Sequence, residues 1–343
     1  MQRYQPAPGN TLRCGALTPQ RLLWRHWWSA SFSALTRELA HDLPAMPAAS
    51  EHDERLQDAQ VDSASIEPAA APDTLLALAV PFNDFAAGAR YGTLLHDLLE
   101  WQARNGWPAG VCGAADAAPT ALQGDWQALL ARQCQNLDVP ADQQAMLDGW
   151  VRQIVTTNLP VMQVDKAKST IELAAIESLD SWPEMGFSLP VQQLHSGQLD
   201  ALIASHLWPQ LARVALQPRQ LQGMVTGFMD LVLRHQGRYY VLDYKSNKLP
   251  GYAGAQLQQA MLAHRYDVQA ALYLLALHRL LKSRLPGYDY DLHVGGALYL
   301  FLRGIDQPGC GLLQLQMPRT LIESLDAAFS RGATLGGDHD LAA

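Results

Sequence analysis

The stretch at residues 227–247, GFMDLVLRHQGRYYVLDYKSN, constrains the fold more than any other part of the chain. Apolar and β-branched residues dominate 224–234 and 238–245, and Gln236-Gly237 between them suits a two-residue turn, so the segment predicts a β-hairpin. One carboxylate stands in each strand, Asp230 in the first and Asp243 in the second. Strand side chains alternate, so Asp243 and Lys245 point to one side of the sheet. A carboxylate in an apolar strand is costly unless it is paired or bound to metal. Two carboxylates converging beside one ammonium can hold a divalent cation and a water against a phosphodiester. The residues alone leave other readings open: an ion pair of the carboxylates with Lys245 or an arginine, and for Lys245 itself a solvent-facing place on its strand.

Further pieces bear on the same chemistry. Residues 86–104 have helical periodicity, and within them GARYGTLLHDLLE (88–100) sets His96 and Glu100 four apart, on one helix face. Residues 184–194 alternate like a strand, which opens on Glu184 within WPEMGFSLPV (182–191). RYDVQAALYLLALHRLL (265–281) falls on a helix read over 266–282, with Gln269 and Tyr273 in a Q-x-x-x-Y spacing, and GGALYLFLRGID (295–306) overlaps a buried strand read over 294–303. A lone D-x-K occurs by chance in many proteins, but this ordered set, G-x-x-D then D-x-K among the other pieces, resembles the PD-(D/E)xK nuclease superfamily. Within it the set is similar to the RecB-like branch. The resemblance runs from about residue 82 to 306.

That resemblance implies an α/β fold with the restriction-endonuclease-like αβββαβ core and added helices. It implies that Asp230 and Asp243 ligate a catalytic Mg²⁺, with the backbone carbonyl of Tyr244 completing the site, and that His96 contributes to the metal site. A nitrogen ligand favours softer ions, so Mn²⁺ is expected to be tolerated. Lys245 would orient or deprotonate the attacking water and stabilise charge on the phosphate. Glu184 matches the acidic residue opening the first core strand, as a carboxylate behind the metal ligands or beside a second metal. Gln269 would bond groups near the metal, and Tyr273 would contact DNA. Plainer readings stand beside these: a helix histidine bonded to a carbonyl for His96, solvated carboxylates for Glu100 and Glu184, and packing or capping for Gln269 and Tyr273. The implied activity is hydrolysis of single-stranded DNA in an exodeoxyribonuclease V assembly, with RecC and RecD subunits and RecA as partners. No G-x-x-x-x-G-K-[ST] occurs, so no ATP site is expected in this chain.

The 343 residues allow one large domain with an appendage. The expected order is a Trp-rich N-terminal segment (1–41), an acidic linker (42–75), a nuclease domain (76–332) and a flexible tail (333–343). Trp24, Trp27 and Trp28 either pack on the chain's own domain or, following the resemblance, mark the end of a helicase portion. The net charge of −8 looks wrong for a DNA-binding protein, but its distribution corrects that impression. Eight acidic residues between 42 and 74 face only Arg55, so this Ala/Pro-rich segment carries −7 and reads as a disordered tether. The remainder is near neutral, which predicts modest DNA affinity. Cys14, Cys112, Cys134 and Cys310 are scattered, with no C-x-x-C pair for zinc, disulfides or an iron–sulfur cluster. With no signal peptide and no apolar run of membrane-spanning length, the expected location is the cytoplasm.

Two rival functions share many of these features. One is a free-standing nuclease of the same superfamily. The other is a non-catalytic module that keeps the fold to dock a RecA-type recombinase. The intact Asp230, Asp243 and Lys245 set argues against the second.

Overall fold

The computed structural model describes residues 28–30, 81–108, 120–162 and 168–330. The acidic linker, the tail and all of the Trp-rich segment except 28–30 lie outside the described residues. In chain order the elements are β1 (Trp28–Ala30), α1 (Ala89–Arg104), α2 (Thr120–Asn136), α3 (Ala141–Thr156), β2 (Leu159–Met162), β3 (Lys168–Ile171) and β4 (Ser181–His195). There follow α4 (Ser196–His206), β5 (Gln220–His235), β6 (Arg238–Lys245), α5 (Gly254–Ala263), α6 (Tyr266–Arg284) and the single turn α7 (Tyr290–His293). The last elements are β7 (Val294–Phe301), β8 (Leu312–Leu315) and α8 (Arg319–Ser330).

One mixed sheet organises the molecule, in the order β4-β5-β6-β7-β8, with β1 lying parallel along the first half of β5. β4, β5 and β6 are antiparallel neighbours, and β6 pairs with β7 in parallel. A parallel strand covered on both faces needs apolar side chains at every position, which is why all eight residues of β7, VGGALYLF, are buried. Helices α4, α5, α6 and α8 cover one face of the sheet. Helices α1, α2 and α3 cover the other, together with the small β2–β3 hairpin. The series α1, β4, β5, β6, α6, β7 is the αβββαβ core that the sequence predicts. No helix among the described residues is long and apolar enough to cross a membrane.

Several boundaries differ from expectation for local reasons. Helical periodicity extends back to 86, but α1 starts at Ala89 because Gly88 has φ 129, outside any helix. The sequence reads 198–213 as a helix with a break available before Pro209, and α4 indeed stops at His206, ahead of a proline that has no N–H to continue it. α5 was not anticipated, since its lead-in KLPGYA reads as loop, and neither was β8, whose four residues are too few to show a period. The hairpin turn is as expected, with Gln236 at φ 51 and Gly237 at φ 76, the doubly positive pair of a two-residue I′ turn.

Candidate active site

The site forms where β5 and β6 part. Their ladder runs from His235↔Arg238 to Leu231↔Leu242 and stops, so the next facing residues are Asp230 and Asp243. β1 meets β5 only at 223–225, leaving 226–230 without a strand partner on that side among the described residues. The pleat also changes phase there. Met229 packs on the α6 side of the sheet, whereas Leu231, two residues on, packs on the α1 side. Across the ladder, Glu184 lies between Pro183↔Leu231 and Met185↔Met229, and it takes φ 51. A left-handed non-glycine residue costs about 1–2 kcal/mol, so the irregularity persists only because the surrounding sheet imposes it. Its effect is to release Asp230 from the regular ladder. Asp230 Oδ2 then accepts the backbone N–H of Tyr244 at 2.8 Å, standing in for the ladder bond that the parting strands cannot make.

Asp243 and Lys245 project together on the α6 side, as their spacing predicts. Both are 2 % exposed, which excludes the solvent-facing reading of Lys245. Lys245 Nζ lies 2.8 Å from Asp243 Oδ2 and 4.1 Å from the ring centroid of Tyr266. Burial pushes the Asp243 carboxyl up to about 7, and the Lys245 ammonium offsets only part of that rise. Burial also works to raise Asp230, but the His96 imidazole, Lys245 and the Tyr244 N–H together pull it below the ordinary carboxylate value. His96 Nδ1 sits 3.4 Å from Asp230 Oδ2, and its ring packs edge-on against Tyr244 at 5.8 Å. Burial lowers the His96 pKa and Asp230 raises it, with a net rise.

The remaining expected residues are placed more unevenly. Glu184 is close enough to act electrostatically on the Tyr244 hydroxyl. Glu100 accepts from Arg104 at 2.7 Å on its own helix. Gln269 donates to the Tyr273 hydroxyl at 3.0 Å and accepts from the Tyr299 hydroxyl at 3.1 Å. Tyr273 is 3 % exposed, with its ring edge-on to Phe187.

Other residues shape the site without having been singled out from the sequence. Tyr266 and Tyr299 form the aromatic floor beneath Lys245. Arg303 is 1 % exposed and donates to the carbonyls of Ser246, Phe82, Phe85 and Ala86. One guanidinium thereby joins the residue after Lys245 to the segment leading into the helix of His96. Arg265, fully buried, reaches Asp267 at 3.0 Å and Asp200 at 2.5 Å, and Arg213 adds a contact to Asp267 at 2.9 Å. This network locks the N-terminus of α6, and with it Tyr266 and Gln269. An R-x-D pattern at 265–267 was the available signal, but nothing local says that its partners lie 50–65 residues away.

Among the described residues no three His, Cys, Asp or Glu side chains close around a single point. Lys245 engages Asp243, while His96 and the Tyr244 N–H engage Asp230. The donor chemistry nevertheless fits a divalent cation. A buried carboxylate, Asp243, and a part-buried one, Asp230, act on each other with one imidazole at hand, and burial alone makes the Asp243 charge costly.

Residues 74–334 match the family model of the PD-(D/E)XK nuclease superfamily. The chain belongs to this superfamily. It is therefore a nuclease, a hydrolase of phosphodiester bonds. Among curated relatives, it is 34% identical to RecBCD enzyme subunit RecB of Escherichia coli K12 over 97% of this chain and 26% of that protein. Its identity to RecB of Haemophilus influenzae is 39%, over 53% of this chain and 15% of that protein. RecB of Mycobacterium tuberculosis is 27% identical over 97% of this chain and 31% of its own length. This PD-(D/E)XK nuclease thus spans about a quarter to a third of the RecB proteins that match nearly all of it. The superfamily is dependent on divalent metal, which agrees with the donor set at the fork.

Proposed function

We propose that this chain is the nuclease portion of a RecBCD-type exodeoxyribonuclease V and hydrolyses single-stranded DNA in double-strand-break repair by homologous recombination. The observation that carries the reading is the buried Asp243–Lys245 pair facing Asp230 and His96 across the parted strands. Asp230, Asp243, His96 and the Tyr244 carbonyl would hold Mg²⁺ or Mn²⁺. The bound cation supplies positive charge to the phosphate and makes water a better nucleophile. Lys245 orients the attacking water and offsets charge developing on the phosphate oxygens. Glu184 and Gln269 support the site from behind, Glu184 through the field at Tyr244 and Gln269 through Tyr299. In the assembly, residues 42–75 tether the nuclease domain of 76–332, RecC and RecD deliver unwound strand, and RecA docks. Tethering raises the effective concentration of the strand near the site.

Cleavage is expected with Mg²⁺ or Mn²⁺ and not with EDTA, while Ca²⁺ binds without supporting turnover because it holds its ligands loosely. Incubation of the purified chain with circular and linear single-stranded DNA under each condition checks this, and full activity in EDTA refutes the metal mechanism.

The isolated chain is further expected to be weak on single strands, nearly inactive on blunt duplex, and weaker still as salt rises. It has no motor to open a duplex, and a near-neutral fold neutralises few phosphates. The measurement is the initial rate on one oligonucleotide, single- and double-stranded, across a salt series without ATP. Equal rates on the two substrates favour a free-standing nuclease instead.

A further inference from the structure

Lysine carries its charge on a flexible four-carbon stem, so a catalytic ammonium needs something to fix it. Asp243 holds Lys245 from one direction. An aromatic face holds it from another. Lys245 Nζ lies 4.1 Å from the Tyr266 ring centroid and 5.8 Å from that of Tyr299. Tyr266 is 1 % exposed and is itself clamped. Its ring stacks on Tyr299 at 5.9 Å and on His264 at 5.2 Å, and its hydroxyl meets Asn247 at 3.3 Å. The Tyr299 hydroxyl shares its one proton between the Tyr266 carbonyl at 3.2 Å and Gln269 Oε1 at 3.1 Å, closing the frame. The residue before Tyr266, Arg265, sits in a left-handed conformation (φ 58), which the buried Asp200–Arg265–Asp267–Arg213 network pays for. The fold thus commits a strained backbone and buried charges to the start of α6, where this ring is presented.

We propose that Tyr266 is a positioning residue for the reaction, its ring face holding the Lys245 ammonium against Asp243 where it meets water and phosphate. This rests on the nuclease reading above. The negative ring face attracts the ammonium, and the attraction is strongest where water is excluded, as at this buried pair. A purely space-filling role would ask only for volume, and the charge distribution of the ring would not matter.

That difference defines the experiment. Tyr266 is replaced in the full chain by Phe, by Leu, and by a series of increasingly fluorinated phenylalanines that keep ring shape while draining the ring face of electron density. For each variant, kcat and KM are measured on a single-stranded oligonucleotide with Mg²⁺, beside the thermal midpoint and a Lys245→Ala control. Tyr266→Phe is expected to stay within about twofold of wild type, and Tyr266→Leu to lose about tenfold or more in kcat with KM nearly unchanged. Along the fluorinated series log kcat should fall steadily while the thermal midpoint holds. A flat series overturns the proposal, even if Tyr266→Leu is too unstable to assay. If Lys245→Ala is inactive and the series is flat, only the role of Tyr266 falls. If Lys245→Ala cleaves like wild type, or the unaltered chain cleaves nothing with any metal, the nuclease reading falls and this proposal with it.

Discussion

Lys245→Ala is expected to slow cleavage about a hundred- to a thousand-fold, the loss of roughly 2.7–4 kcal/mol that follows removal of one preorganised electrostatic contact. Asp243→Ala should cost at least as much rate. The two variants should separate in metal binding. Lys245 is a cation beside Asp243 and not a ligand, so removing it takes away a competitor for that carboxylate and leaves metal affinity undiminished. Asp243→Ala removes a donor and weakens binding. Single-turnover cleavage combined with calorimetric titration of Mn²⁺ or Ca²⁺ resolves the two effects. Equal loss of metal affinity in both variants contradicts these roles.

Arg265→Met is expected to be the most destabilising single change in the frame of the site. Arg265 and Asp267 have no exposed side-chain surface, and Asp200 is 14% exposed. Removing the guanidinium leaves two carboxylates short of their main partner, with Arg213 able to serve Asp267 alone. Breaking a buried pair in this way costs about 3–5 kcal/mol. For a domain of this size each kcal/mol lowers the melting temperature by roughly 2–4 °C, so a fall of about 10 °C or more is anticipated. Thermal unfolding followed by circular dichroism measures it. A midpoint unchanged within about 2 °C would show that the network is not what fixes the start of α6.

Much of the fold was legible because its signals are local. The hairpin announced itself through the Gln236-Gly237 turn and the apolar runs on either side. β7 was readable as buried from its unbroken apolar sequence, and α6 from its length and composition. The elements that escaped are short or introduced by glycine and proline. α5 follows KLPGYA, and β2, β3 and β8 have four residues each. Such runs carry too few periods to distinguish a strand or helix from loop.

The candidate site divides along a similar line. Asp243 and Lys245 share a face because a strand has a period of two, and that follows from backbone geometry wherever the strand lies. Asp230 has no such guarantee. Its place depends on a change of pleat phase opposite Glu184, which nothing in GFMDLV reveals. His96 is 134 residues from Asp230 in the chain, and its 3.4 Å approach depends on how α1 packs against the sheet. Helical spacing puts Glu100 on the same face of α1 as His96, and one turn further on it accepts from Arg104, a pairing that the i,i+4 spacing of the helix allows. Q-x-x-x-Y located Gln269 and Tyr273 correctly on one face of a helix, yet only packing decided that both are interior. The sequence by itself determined the β5–β6 hairpin, the longer elements such as α6 and β7, and which of their near neighbours share a side, because these depend on interactions within a few residues. The tertiary structure alone decided which distant groups converge on Asp230 and Lys245, because convergence depends on how separately formed elements exclude water from the surfaces they share.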